Sequence, residues 1–486
     1  MASPLSSRTG RWIIAVTVAG SSMAFLDSTV LSIALPDIGR DLGADTSSLQ
    51  WVTTGYLLSL VAFILVGGAL GDTYGRRRIF EIGVVVFCAS SVLCAVAPDT
   101  FLLIAARVVQ GGGAALLTPG SLAIVQASIA PGDRARAIGA WSGLTGVASA
   151  IGPLVGGVLI AAVSWRAIFL LNLPIGVFTF VAGRRHVPET SDPAAVPGID
   201  VLGAVLVAVG LAGVTFWLTG GVGDGAGGPV VGAVGVVALV AFLVVESHVR
   251  APMLPLGLFR SRQFSAGNAV TFLVYAATGG FFFLFASFLQ ISLGYSPVEA
   301  GAASLPVTVL MLALSARSGA LSERIGVRLP LTVGPVVVGV GLLLLSRVTP
   351  GDRYLTHVLP GVVVVALGLV ILVAPITATV LAAAGEEHAG VGSGINNAVA
   401  RMGGLLSVAV LPGLTGLTGD EFYVPSAMTD GFSSSMVICA VLAVSGGVLA
   451  SITIRDRREA TESTATEAFC CPVAAPPLGQ VTSTTS

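Results

Sequence analysis

Gly68-Ala69-Leu70-Gly71-Asp72-Thr73-Tyr74-Gly75-Arg76 joins two strongly apolar segments. The pattern returns 251 residues later as Gly319-Ala320-Leu321-Ser322-Glu323-Arg324-Ile325-Gly326-Val327-Arg328, again between apolar segments. The same offset relates Ser142-Gly143 to Ser393-Gly394 and Gly152 to Gly403. Landmarks that repeat in register point to a duplicated chain. Internal duplication of membrane segments marks secondary transporters, whose substrate site lies between two pseudo-symmetric halves.

Composition requires a membrane. Hydrophobic residues make up 54% of the chain, charged residues 10%, and mean hydropathy is +0.94, values foreign to water-soluble domains. Apolar stretches recur at approximately 12–35, 49–70, 79–97, 101–126, 138–160, 167–183, 199–219, 230–247, 265–290, 297–317, 329–347, 355–381, 390–415 and 432–454. Each can cross a hydrocarbon core about 30 Å thick as a helix. The expected fold is therefore an all-α polytopic membrane protein with fourteen transmembrane helices. The 62 glycines, which weaken helices in water, let helix backbones approach closely in a bilayer.

All 24 basic residues are Arg. Without Lys there is neither a Walker phosphate loop nor a Schiff-base mechanism, so this chain carries no ATP motor, and neither a nucleotide nor a nucleic-acid partner is expected. Arg8, Arg11, Arg76 to Arg78, Arg134, Arg136, Arg184, Arg185, Arg250, Arg260, Arg262, Arg324, Arg328, and Arg455 with Arg457 and Arg458 fall on alternate connections. The opposite side holds only Arg40, Arg166, Arg347 and Arg353. The positive-inside rule then predicts a plasma-membrane protein with both termini cytoplasmic. Gly385-Glu386-Glu387-His388 carries acid on the same side, but acids weigh little in that rule.

The expected layout is a cytoplasmic N-terminus (1–11), a six-helix bundle (12–187), a linker with two extra helices (188–261), a second six-helix bundle (262–455) and a disordered cytoplasmic tail (456–486). The linker opens on the polar, Pro-rich His186-Val187-Pro188-Glu189-Thr190-Ser191-Asp192-Pro193. Cys88, Cys94 and Cys439 fall within spans as small buried thiols. Cys470 and Cys471 lie in the tail, and neither they nor the scattered histidines make a metal site.

Several blocks resemble the major facilitator superfamily, specifically its fourteen-span drug:proton antiporters of the EmrB/QacA type. Gly68-x-Leu70-Gly71-Asp72-x-x-Gly75-Arg76-Arg77 matches the superfamily's signature loop, except that Thr73 replaces the usual Arg. Arg107-Val108-Val109-Gln110-Gly111 matches the fourth-span signature. Gly143 with Gly152-Pro153 and Gly156-Gly157 matches the fifth-span antiporter signature. Leu26-Asp27-Ser28-Thr29-Val30 with Ala34-Leu35-Pro36, and Trp165-Arg166-Ala167-Ile168-Phe169 with Asn172-Leu173-Pro174-Ile175-Gly176, resemble blocks of the fourteen-span branch. The resemblance covers about residues 12–455. It implies the major facilitator fold, two six-helix bundles plus two inserted helices, and export driven by the proton gradient with no cofactor.

The residues argue for that chemistry on their own. An acid within a span is costly and functional by default, and Asp27 is such an acid. A carboxyl whose burial and cationic neighbour change together can take up and release a proton. Asp27 and Arg107 lie at matching depth, about 12 Å from the outer boundary at 1.5 Å per residue, which makes them a candidate proton-coupling pair. Arg401, at mid-span and without a comparable acid, either caps against carbonyls and amides such as Asn396 and Asn397 or faces the cavity and meets substrate. Gly68, Asp72, Gly75, Arg76, Glu323 and Arg324 form a candidate conformational switch. Gly143, Gly146, Gly152, Pro153, Gly156 and Gly157 read either as a close-packed seam or as a pliable helix that sets exchange direction.

Three functions stand at this point. The first is a proton-coupled exporter of small amphipathic molecules, such as an antibiotic, acting as a monomer in the bilayer. The second is an importer or uniporter on the same scaffold. The third, an intramembrane enzyme or sensor, lacks a catalytic constellation, so no enzymatic activity is expected. Abundant Arg, Ala, Gly and Val fit a G+C-rich, antibiotic-producing bacterium. One Asp against two arginines inside spans favours a neutral, zwitterionic or anionic substrate, although aromatic faces such as Phe281 to Phe283 offer a cation an alternative.

Overall fold

The computed structural model describes residues 3–191, 200–220, 227–249, 252–385 and 389–456. Most of the expected tail, with Cys470 and Cys471, lies outside these residues, as do Arg250, Glu386 to His388 and the linker stretch 192–199. The described chain is a helical bundle containing fourteen helical stretches long and apolar enough to span a membrane.

The N-terminal half begins with α1 (Arg8–Leu42), α2 (Thr46–Tyr74), α3 (Arg76–Ala95), α4 (Thr100–Ser128) and α5 (Arg134–Ala162). Its sixth span is broken into α6 (Ala167–Leu170) and α7 (Asn172–His186). The inserted pair is α8 (Val201–Thr219) and α9 (Gly227–His248). The C-terminal half runs through α10 (Arg262–Ile291), the broken span α11 (Pro297–Ala303) and α12 (Leu305–Ile325), then α13 (Arg328–Leu345), α14 (Leu359–Ala384), α15 (Ala389–Leu414) and α16 (Pro425–Thr453). Both breaks have a local cause. Pro306, near the start of α12, and Pro174, near the start of α7, each remove a backbone donor and crowd the preceding turn.

Helix starts follow short polar residues. Asp45 accepts from Ser48 N at 2.9 Å and Asp99 from Leu102 N at 2.8 Å, satisfying donors that have no partner within the helix. Ser296 and Glu299 form a reciprocal capping box on α11. Helix contacts are set by small residues. At Gly111 a Cβ would collide with the Tyr56 carbonyl of α2, so α2 and α4 meet backbone to backbone. The inserted α8 lies over the seam where the halves meet along α2 and α15, through Leu211 packed with Leu58, Val61 and Leu405. Trp51 of α2 and Phe216 of α8 add an aromatic contact, their centroids 6.4 Å apart.

Candidate functional site

Asp27 and Arg107 meet inside the N-terminal half. They come from α1 and α4, are 7% and 1% exposed, and form an ion pair of 2.5 Å between Asp27 Oδ2 and Arg107 Nη1. The depth argument from sequence therefore matches the geometry. The surroundings complete the pair. Gln110 Nε2 donates to Asp27 Oδ1 at 2.9 Å and to Ser91 Oγ at 2.9 Å, while its Oε1 accepts from Arg107 Nη1 at 2.6 Å. Asn172 Nδ2 reaches Asp27 Oδ1 at 3.4 Å and Ser91 Oγ at 3.3 Å. Arg107 Nε donates to the Val52 carbonyl at 3.1 Å, and its guanidinium carbon stands 4.4 Å from the Tyr56 ring centroid. Both carboxylate oxygens are thus bonded. A buried pair costs desolvation and persists when its remaining donors and acceptors are met, and here both Asp27 oxygens and Arg107 Nε and Nη1 have partners.

Sequence reading assigned no role to Gln110, Asn172 or Ser91. Gln110 was within reach, because it follows Arg107 by three residues and so shares its helix face. Asn172 and Ser91 arrive from α7 and α3, which only the tertiary fold brings together.

Arg401 occupies the middle of α15 with a different environment. Among the described residues it forms no ion pair and no hydrogen bond, and its guanidinium carbon lies 5.2 Å from the Phe25 ring centroid on α1, in the opposite half. Of the two alternatives left by the sequence, capping against the nearby amides does not occur. Asn396 turns its amide nitrogen elsewhere, donating to Asn268 Oδ1 at 3.2 Å and Thr271 Oγ1 at 2.9 Å of α10. Asn397, one turn before Arg401 on the same face, is half-buried and unbonded. Phe281 and Phe283 are fully packed in the core, and Phe282 is exposed, so the three do not form one aromatic surface. A third arginine within a span, Arg317 of α12, was missed. It is exposed and about two turns from the helix end, within the reach of a snorkelling side chain.

The repeated loops share one construction. After Gly75, with φ at +107°, the first amides of α3 are capped by Glu189, which accepts from Arg77 N at 2.9 Å and Arg78 N at 3.1 Å. After Gly326, with φ at +86°, Asp456 accepts from Arg328 N at 2.9 Å. Each capping acid follows the last helix of its own half, and each sits where a glycine Cβ would be. Asp72 pairs locally with Arg76, at 2.7 Å from both Nε and Nη2, and does not cap a helix. The close helix contact belongs to Gly67, whose Cβ would strike the Ala115 carbonyl, while Gly68 faces only Pro119 at an ordinary 3.8 Å. Arg324 is exposed in the last turn of α12, and the Glu323 side chain lies outside the described residues.

The α5 glycines divide into three environments. Gly152 and Gly156 sit against Leu26, Thr29 and Val30 of α1. Gly157 abuts the Pro297 carbonyl, and Gly301 of α11 abuts the Pro153 carbonyl, which is a reciprocal contact between the halves. Gly143 has open space around its Cα, so the close-packed seam does not extend to it.

Among the described residues, hydrogen bonds tie the halves at one end, while Leu65 and Gly394 touch nearer the other. Gln50 Nε2 donates to the Val408 and Ala409 carbonyls at 2.8 and 3.0 Å, and Gln290 Nε2 to the Ile33 carbonyl at 2.9 Å. Thr46 Oγ1 donates to the Gly419 carbonyl at 2.8 Å, and Tyr423 OH to the Ala44 carbonyl at 2.6 Å. Burial pushes the Tyr423 phenol up to about 12, so it stays a donor at neutral pH. All these hydrogen bonds lie toward the end opposite the Arg-rich connections. At the Arg-rich end, among the described residues, no hydrogen bond or ion pair crosses between the halves.

Comparison with known proteins agrees with this architecture. The Major Facilitator Superfamily matches residues 17–408. The tetracenomycin C resistance and export protein of Streptomyces glaucescens is 35% identical, over 84% of this chain and 76% of its own. The puromycin resistance protein of Streptomyces alboniger is 34% identical over 93% of both chains. The cephamycin export protein of Amycolatopsis lactamdurans is 33% identical over 88% of this chain and 90% of its own. Among solved structures, a bacterial homologue of the human lysosomal transporter Spinster, in an inward-facing and unoccupied conformation, superimposes with a TM-score of 0.66. It is 16% identical and is covered over 92% of this chain and 97% of its own, a likeness that shows the fold.

Proposed function

This chain belongs to the major facilitator superfamily, and from that premise we propose that it is a proton-coupled exporter of small amphipathic organic molecules, an antibiotic or other secondary metabolite. In a bacterium such export confers resistance, or self-resistance in a producer. The reading rests above all on one observation, the buried Asp27–Arg107 pair with its closed ring of partners.

The pair suits proton exchange because its two charge states need different surroundings. Ionised Asp27 is held by Arg107, Gln110 and Asn172. Protonated, it loses most of its attraction for Arg107, and the helices α1 and α4 that carry the pair are freed to shift. The proton gradient supplies the work, and no cofactor takes part. With the Arg-rich connections cytoplasmic by the positive-inside rule, we read the hydrogen-bonded end as the outer one and the other end, where Leu65 meets Gly394 and no hydrogen bond or ion pair crosses among the described residues, as the one that parts toward the cytoplasm. Substrate then enters from the cytoplasm. Closing that end and opening the other requires the outer hydrogen bonds of Gln50, Gln290, Thr46 and Tyr423 to break.

The switch loops and α5 would govern that exchange. Asp72–Arg76 and the Glu189 cap fix the α2–α3 turn, on a helix that meets α15 through Leu65 and Gly394. Gly157 and Gly301 let α5 and α11 rock on each other at the closed end. One polypeptide contains both halves, and we assign function to the monomer. Growth tests of cells carrying the chain, against a panel of antibiotics, check the reading. Protection that collapses with a protonophore is expected, and gradient-independent protection would contradict it.

A further inference from the structure

Arg401 is a half-buried cation at the middle of a span, and among the described residues nothing neutralises it. It stands twelve residues from the start of α15, about 18 Å along the helix axis. A guanidinium at that depth needs carbonyls, a carboxylate or water around it. The Phe25 ring beside it offers only a weak cation–π attraction and no hydrogen bond. Its nitrogens are not sealed into the protein as unsatisfied donors. They stand at the interface between the halves, where the Phe25 ring of α1 lies 5.2 Å away, and without a protein partner there they call for water or a ligand.

The N-terminal half cannot supply the missing acid. Asp27 is only two residues from Phe25, but both its oxygens are engaged by Arg107, Gln110 and Asn172. The free charge of the central space is positive. A cationic substrate would need an uncommitted carboxylate there to replace its lost hydration, and the described residues offer none. An anionic group would find a planar donor fork able to bind both its oxygens. The unbonded amide of Asn397 lies one turn away on the same helix face.

Building on the exporter reading, we infer that the cavity selects an amphipathic acid, a carboxylate or acidic phenol carried on a flat aromatic or apolar body. The acidic group binds Arg401, with Asn397 as a second donor, and the body lies against Phe25. Because Arg401 belongs to the C-terminal half and Phe25 to the N-terminal half, the bound acid touches both.

Everted membrane vesicles made acidic inside test this with three probes: fluorescein as the anionic acid, its methyl ether methyl ester as the form lacking both the carboxylate and the acidic phenol, and ethidium as the cation. Gradient-driven uptake of fluorescein above that of vesicles without the protein is expected. Arg401→Ala should raise its KM about tenfold or more with little change in maximal rate, as for a lost binding contact. Arg401→Lys, at matched membrane levels, should recover only part, since it keeps the charge but not the fork. Uptake of the ester or ethidium equal to that of fluorescein, and indifferent to Arg401→Ala, overturns the inference while leaving export intact. Failure to move any of the three counts against the exporter reading, and the inference falls with it.

Discussion

The two halves repeat their loop mechanics but not their buried charge. In both, a left-handed glycine ends the connecting loop, and an acid from beyond the half's last helix caps the helix that follows: Gly75 with Glu189, and Gly326 with Asp456. Inside the spans the symmetry ends. The N-terminal half holds the hydrogen-bonded Asp27–Arg107 pair, whereas the C-terminal half presents at mid-span an Arg401 without a bonded partner among the described residues, at the repeat position of Ala150. Duplication explains the shared hinges. In the proposed mechanism the difference divides the labour: one half would cycle the proton and the other would carry the charge that meets substrate.

The strongest test of this contrast removes each arginine in turn. Arg107→Ala leaves Asp27 and Gln110 buried without their cation, at a cost of about 3–5 kcal/mol. We expect a lower thermal unfolding temperature in detergent and no transport. Arg401→Ala breaks no bond in the structure, so its unfolding temperature should match the wild type within error. Equal destabilisation of the two variants would mean that Arg401 is structural, and the contrast would fail.

A second test stays within the N-terminal half. Gln110→Leu removes two donated bonds and two accepted ones, from Arg107 and Cys94, at about 1–3 kcal/mol for the buried groups left unpaired. Because it acts on Asp27 through its hydrogen bonds, the pH profile of transport should move while substrate affinity does not. A change confined to KM would place Gln110 on the substrate side instead.

The third sharpens the comparison of the loops. Glu189→Gln and Asp456→Asn weaken equivalent helix caps, each at about 1 kcal/mol, and both should slow transport without altering probe preference. Asp72→Asn should do likewise through its bond to Arg76. An effect from one cap alone would show that the repeat is geometric only.

How much of this was legible beforehand follows from the range of each signal. The fourteen spans follow from runs of apolar residues, and the helix bounds fall within a few residues of those runs, apart from α1, which continues to Leu42, α12, which continues to Ile325, and α16, which already starts at Pro425. The breaks at Leu171 and Ser304 interrupt no apolar run, although Pro174 and Pro306 marked them. Asp27 and Arg107 could be paired because depth is countable along a helix. Glu189 could not be paired with the α3 amides, since the contact spans more than a hundred residues and leaves no periodic trace. The sequence places the Asn396 amide within reach of Arg401, and that its nitrogen bonds α10 instead was not legible, because orientation about a helix packed on several sides is not fixed by sequence alone.

The smallest expected effect lies at the closed end. Tyr423→Phe loses one bond to Ala44, about 1 kcal/mol, and should raise labelling of a cysteine placed near Gly43 about fivefold as the outer end opens more often. Unchanged labelling would show that the other outer contacts suffice.

The central claim, that Asp27 carries the proton which drives export, is tested most directly in proteoliposomes by following a pH-sensitive dye and substrate together. Wild type should move protons and substrate in opposite directions, with each flux dependent on the other. Asp27→Asn should abolish proton movement and uphill export while retaining exchange of substrate down its own gradient. Uphill, proton-linked export at the wild-type rate by Asp27→Asn would contradict the account.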